Sequence, residues 1–412
     1  MRVAPVLLLS VLLFTPTLHA QSPIATAWDP LFLGFGSEPE MDYGGRTVMS
    51  LHSLLSRSIG RIGHVGERHP GVAPAWEIPL GAAVLLIQHE VGGHGGRARE
   101  LGLSPSYAFS YNLSAATATE RPPATNEENT LLAAGGVEAD GVMAHRVLLD
   151  LLRPEGADGA KVPLALLSKL DLTLYAATAR NPEGSPQLVD QYRDGNDMAY
   201  YLVSRQAARN GADPAGVWNG TYEPLLDDPL LASTYDDIQA TALWNLFDPL
   251  LAGSVVNYFR EHVQGGAVRV HAPVLRLREG LGLTVGTRGA LGPGEVSRFL
   301  DLHAVTRQGV LTVYARDLDS SFERTYGFGA GVHALRLGRN LELGLSADSW
   351  DEPDAQERRP AGRGWNATGQ IDALIGPRWG LSAKLGAKSE GFFPGLPLED
   401  GPYFGFGVRA AL

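Results

Sequence analysis

With 412 residues, of which 44% are hydrophobic and 19% charged, the chain has a globular composition and is long enough for two domains of ordinary size. A formal net charge of −11, with no basic cluster, argues against a nucleic-acid partner. There is no cysteine, so disulfides are excluded and the fold must rely on packing, metal or membrane.

In chain order, Met1 to Ala20 carries one positive charge, an apolar run from Val3 to Phe14, the helix breaker Pro16 and a small residue before Gln21. That pattern predicts a cleaved signal peptide and therefore an exported protein. No later apolar stretch is both long and free of charge, so a polytopic helical membrane protein is not expected.

From about Thr47 to His262 apolar residues recur at three and four, as in Leu51, Leu54, Leu55 and Ile59, or Leu164, Leu167 and Leu174. This spacing predicts a mainly α-helical part over residues 21–262. Within it, Ala83-Val-Leu-Leu-Ile87 runs into Gln88-His-Glu-Val-Gly-Gly-His94. Two histidines one helical turn apart, with a glutamate beside the first, are a zinc-hydrolase pattern in which the glutamate acts as general base. Here the histidines are five residues apart and would sit about 140° from one another on a regular helix. A one-residue bulge of the π type restores their facing, and Gly92 and Gly93 are where the extra residue is expected to be absorbed.

His89-Glu90-Val-Gly-Gly-His94 resembles the H-E-x-x-x-H variant of the zinc metallopeptidases, as in the dipeptidyl peptidase III family. The apolar lead-in and the tail Arg97-Ala-Arg-Glu-Leu-Gly102 are similar to the active-site helix of site-2 protease relatives. Ala133-Ala-Gly-Gly-Val-Glu-Ala-Asp140 is similar both to the small-residue helix of that group and to the acidic helix of gluzincins. The resemblance implies a Zn2+ cofactor, His89 and His94 as ligands, Glu90 as catalytic base and a peptide or protein substrate. The gluzincin pattern takes the third ligand from a carboxylate on the next helix, which selects Glu138, with Asp140 and Asp248 in reserve. His145, seven residues after Glu138, is a further candidate as a supporting partner or substrate-binding donor.

Beyond Gly265 the period drops to two, as in Leu341-Glu-Leu-Gly-Leu-Ser-Ala-Asp348 and Leu381-Ser-Ala-Lys-Leu-Gly-Ala-Lys388. About eight such segments in fewer than about 150 residues predict a closed antiparallel β-barrel over residues 263–412. Tyr326, Trp350, Trp365, Trp379 and Tyr403 fall near segment ends, where the aromatic girdles of a membrane barrel lie. This part resembles a bacterial outer-membrane barrel, which implies outer-membrane lipid as a partner; a periplasmic sandwich or barrel alternates in the same way. The expected fold is thus α+β and multidomain: a signal peptide over 1–20, a helical metallopeptidase-like domain facing the periplasm, and a C-terminal barrel. The competing reading is a non-catalytic barrel with a helical plug, scaffold or partner-binding module.

Overall fold

A computed structural model of the chain describes residues 31–410 apart from 113, 180–184, 354–361 and 377. The expected signal peptide lies outside these residues. The fold is α+β, with helices packed on a large antiparallel sheet.

The principal helices are α1 (Met41–Arg61), α2 (Pro74–Ile87), α3 (Gly95–Glu100), α4 (Asn126–Leu151), α5 (Lys161–Thr178), α6 (Asp197–Arg209), α7 (Pro229–Leu246) and α8 (Pro249–Asn257). Their starts carry the expected signals. Thr125 caps α4 by accepting from Glu128 N, Asn196 caps α6 by accepting from Ala199 N, and Asp248 with Pro249 opens α8. A small hairpin, β2 (Pro105–Phe109) and β3 (Ala115–Thr119), lies between α3 and α4.

The large sheet begins with β1 (Leu31–Gly36) and continues with β4 (Leu275–Arg278), β5 (Leu281–Leu291), β6 (Val296–Thr306) and β7 (Val310–Asp319). It is completed by β8 (Arg324–Arg336), β9 (Leu341–Glu352), β10 (Gly362–Leu374), β11 (Trp379–Lys388) and β12 (Gly401–Ala410). Among the described residues it has ten strands, in the order β1-β12-β11-β10-β9-β8-β7-β6-β5-β4. β1 pairs with the last strand, Phe35 opposite Phe406, so the sheet also draws on residues well before 263.

The expected closed barrel of about eight strands is corrected here. The sheet has ten strands and its edge strands β1 and β4 do not pair with each other, so it is not closed. The physical reason is that α1 and α4 pack on its inner face, a space that side chains alone would fill in a small closed barrel. Inward-facing polar residues meet those helices. Arg46 of α1 pairs with Asp372 of β10 at 2.8 Å, Tyr43 hydrogen-bonds Ser382 of β11 at 2.7 Å, and Lys384 reaches Glu40 at 2.5 Å. On α4 and just beyond it, Asp150 meets His333 at 3.3 Å and Arg153 meets Glu342 at 2.6 Å.

The alternation read along β9 is present: Glu342 faces inward to Arg153, while Leu341 is exposed. The aromatic residues divide. Tyr326, Trp365 and Trp379 are exposed, but Trp350 and Tyr403 are buried on the inner face, where Trp350 packs against Phe393 and Tyr403 bonds Asn366. Two apolar clusters tie helices and sheet together. One runs through α4, α5, α6 and α7 to Leu291 and Val296; the other joins Met49, Val84, Met143, Val147, Leu164 and Leu250 to Val310.

Candidate metal centre

Residues Gln88–His94 form one stretch of π-helix between α2 and α3. It turns His89 and His94 to the same side, with ring centroids 4.8 Å apart and their Nε2 atoms 3.1 Å apart. The two glycines of the insertion serve different ends. A Cβ on Gly93 would stand 2.6 Å from Gly136 Cα, so this glycine lets the segment lie directly on α4. A Cβ on Gly92 would meet only the end of the Gln88 side chain, at 2.9 Å. On α4, Gly136 leaves the space that the His89 ring fills.

Each histidine is oriented by a second hydrogen bond. His89 Nδ1 lies 2.9 Å from Asp140 Oδ2 on α4 and 3.3 Å from Asp171 Oδ2 on α5; His94 Nδ1 lies 2.5 Å from the Leu132 carbonyl. With both Nδ1 atoms donating to these oxygens, both Nε2 atoms are left as lone-pair ligands. Asp197, in the first turn of α6, brings Oδ2 to 3.2 Å from each of them. Without a metal, protons meet the same contacts: burial alone would raise the Asp197 carboxyl, but the charge of a protonated His94 and the hydrogen bonds donated by both imidazoles hold it well below the usual range.

Three candidate ligand atoms, two of them on buried histidines, stand 3.1–3.2 Å apart. Ligands about 2.0 Å from a tetrahedral ion are separated by about 3.3 Å, so a cation of that size fits between them. The protein therefore holds a buried His/Asp group able to bind a metal ion, with His89, Asp140 and Asp171 forming an adjoining group that shares the first histidine. The Tyr175 ring stacks on His89, and its hydroxyl lies 3.4 Å from Nε2.

Glu90 is buried beside the pair. Thr117 of β3 donates its hydroxyl to Glu90 Oε2 at 2.7 Å, so the hairpin fixes one carboxylate oxygen. Glu138 is placed elsewhere. Both its oxygens are taken by the Arg97 guanidinium, with Nε at 2.9 Å from Oε2, and Oε1 also accepts from Gly395 N at 2.6 Å. Two residues turn a helix by about 200°, so Asp140 faces His89 while Glu138 faces away toward α3.

Asp248 is also engaged apart from the histidines, pairing with Lys169 at 2.9 Å and capping α8. His145 lines a separate cavity of about 250 Å³ between α4 and the inner face of the sheet, with Arg288, Tyr314 and His333. Sequence reading missed Asp197, Asp171 and Tyr175. Asn196-Asp197 reads as an ordinary helix start, and nothing local ties it to a motif 103 residues away. No protein-family model matches the chain, and no curated protein matches it.

Proposed function

We infer that the chain is a zinc-dependent peptide hydrolase of the bacterial cell envelope, with His89, His94 and Asp197 as metal ligands and Glu90 as general base. The carrying observation is the convergence of His89 Nε2, His94 Nε2 and Asp197 Oδ2 at 3.1–3.2 Å, with both Nδ1 atoms already committed. That spacing requires positive charge among the three atoms, either as protons on the imidazoles or as a cation between them, and a bound zinc ion would supply it with both imidazoles neutral.

Three ligands leave a tetrahedral ion one open position, which suits catalysis; a closed four-ligand site would suit a structural role. When bound, zinc supplies a Lewis acid and an acidified water. Glu90, held at one oxygen by Thr117, has its other oxygen for the proton of the attacking water and for its return to the leaving amine. The Tyr175 hydroxyl is close enough to the ligand set to donate to a carbonyl oxygen of the substrate. Asp140 and Leu132 keep the imidazoles in the ligand tautomer.

The sheet supports an outer-membrane setting. Exposed Leu302 and Leu385 alternate with inward Asp301, His303 and Lys384, and exposed Phe328 and Phe406 alternate with glycines, an apolar outer surface of the kind that faces lipid. The test is peptide cleavage by zinc-loaded protein and by Glu90→Gln. The variant should retain the metal and lose turnover. Equal cleavage by the two proteins would remove Glu90 from the chemistry.

A further inference from the structure

Unpaired strand edges do not face hydrocarbon, because each orphaned N–H or C=O there is too costly. A ten-stranded sheet whose edges β1 and β4 do not meet therefore needs something else across the gap. Helices lead from the β1 edge to β5 and β6, next to β4, whose own four residues are exposed. Ser50 of α1 bonds the N and O of Phe32 on β1 at 2.9 and 3.0 Å. Glu77 of α2 accepts from Ser56 of α1 at 3.1 Å. Gly81 of α2 lies against Leu164 and Leu167 of α5. Lys169 of α5 pairs with Asp248 at the start of α8 and donates to the Thr287 carbonyl on β5. Trp244 of α7 closes the joint, donating to the Phe299 carbonyl on β6 at 2.9 Å and accepting from Thr287 at 2.8 Å.

The polarity of these helices is inverted relative to a water-facing bundle. Their inner sides bury Arg46, Glu77, Lys169 and Asp248. Their outer sides expose Leu55 and Ile59 on α1, Ile78 on α2, Leu174 on α5, and Leu243 on α7, with Val256 of α8 63% exposed; the exposed charges are Arg61, at the end of α1, and Asp236, in the first half of α7. Glu77 is the only charged residue of α2, and α8 has none. Pro70–Glu100, which contains α2, is long and apolar enough to cross a membrane and is only 22% buried over its apolar window. The outer face of the sheet has the same character, with Phe35 of the edge strand 73% exposed.

We propose that α1, α2, α5, α7 and α8 complete a mixed α/β wall and that the acyl chains of the bilayer cover this helical face as they cover the strands. The proposal rests on the reading that the outer face of the sheet meets lipid, and it places the helices in the membrane instead of in the periplasm. Buried charges and exposed apolar side chains occur in both the sheet and these helices, which fits a single apolar solvent on the outside.

The absence of cysteine allows single-cysteine labelling of the full chain. Leu385→Cys and Phe406→Cys report the sheet; Leu55→Cys, Leu243→Cys and Val256→Cys report the helices. Each carries an environment-sensitive fluorophore in phosphatidylcholine vesicles, with brominated acyl chains or aqueous iodide as quencher. Metal content equal to that of the parent confirms folding of each variant. Helix labels should lose fluorescence to bromolipid as strongly as sheet labels do, and resist iodide. Helix labels quenched by iodide while sheet labels are quenched by bromolipid would return the helices to water and overturn the proposal. Iodide quenching at every position would overturn the membrane reading of the sheet as well. Protection of the helix labels from both reagents, with a dimeric mass, would assign that face to a second copy and overturn the proposal too. Hydrolysis is measured separately, so a chain that passes the lipid test and cleaves nothing refutes the enzyme reading alone.

Discussion

Replacing the two glycines of the insertion one at a time should separate two roles that the sequence leaves joined. In Gly93→Ala the new methyl would lie 2.6 Å from Gly136 Cα and 2.7 Å from Gly135 C, both backbone atoms of α4. Relief requires the π segment and α4 to part, an overpacking expected to cost about 1–3 kcal/mol. Asp140 and Leu132, which orient the two histidines, both sit on α4, so the same movement detunes the ligands. Loss of such orienting contacts weakens metal binding by about 10–100-fold. In Gly92→Ala the methyl meets only the Gln88 amide, at 2.9 Å from Oε1. That side chain can rotate, giving up its 3.3 Å bond to the Ala139 carbonyl. The lost bond costs about 1 kcal/mol and is offset by a similar gain in helix propensity from Gly to Ala. Zinc affinity by competition with a chromophoric chelator, alongside thermal unfolding in detergent, reads both effects. Equal losses in the two variants would refute the idea that close approach to α4 is what requires Gly93.

Other substitutions follow from the same contacts. Asp197→Asn should abolish stoichiometric metal binding while leaving a folded chain, checked by elemental analysis and circular dichroism. Glu138→Gln should do the reverse, because it leaves Arg97 buried without its full partner. Its stability should fall by up to about 3–5 kcal/mol by chemical denaturation, and folded protein should retain the metal. Asp140→Asn should keep the fold and weaken zinc binding about 10–100-fold in the chelator assay, since Asp140 orients His89. Arg46→Met should loosen the seat of α1 on the sheet by taking away one of the two guanidinium partners of Asp372, which then keeps Arg409, at 3.2 Å, and the Gln370 amide; a lower unfolding temperature with unchanged zinc affinity is expected.

Local signals carried much of this structure. The change of period near residue 265 separates helices from strands because helical and strand side chains repeat on different intervals. The spacing of His89 and His94 points to a π segment because no regular helix can turn both to one side, and the structure has it over Gln88–His94. What the sequence hides is long-range. β1 is a six-residue strand whose partner is at the other end of the chain, Leu31 opposite Ala410, so no hairpin signal announces it. Closure was misjudged because alternation fixes which residues face inward and says nothing of what fills the inside; here that is α1 and α4. Glu138 stood out by its place in a familiar pattern, yet Arg97, 41 residues earlier, claims it. Asp197 has no motif at all and becomes a ligand candidate only when α6 packs on α4.

Metal content measured on the purified full chain, in the wild type and in His89→Ala and Asp197→Ala variants, bears most directly on the metal centre. About one zinc per wild-type chain is expected, falling to background in each variant while the fold persists. Equal and sub-stoichiometric zinc in all three proteins would contradict the assignment of His89, His94 and Asp197 as a metal site.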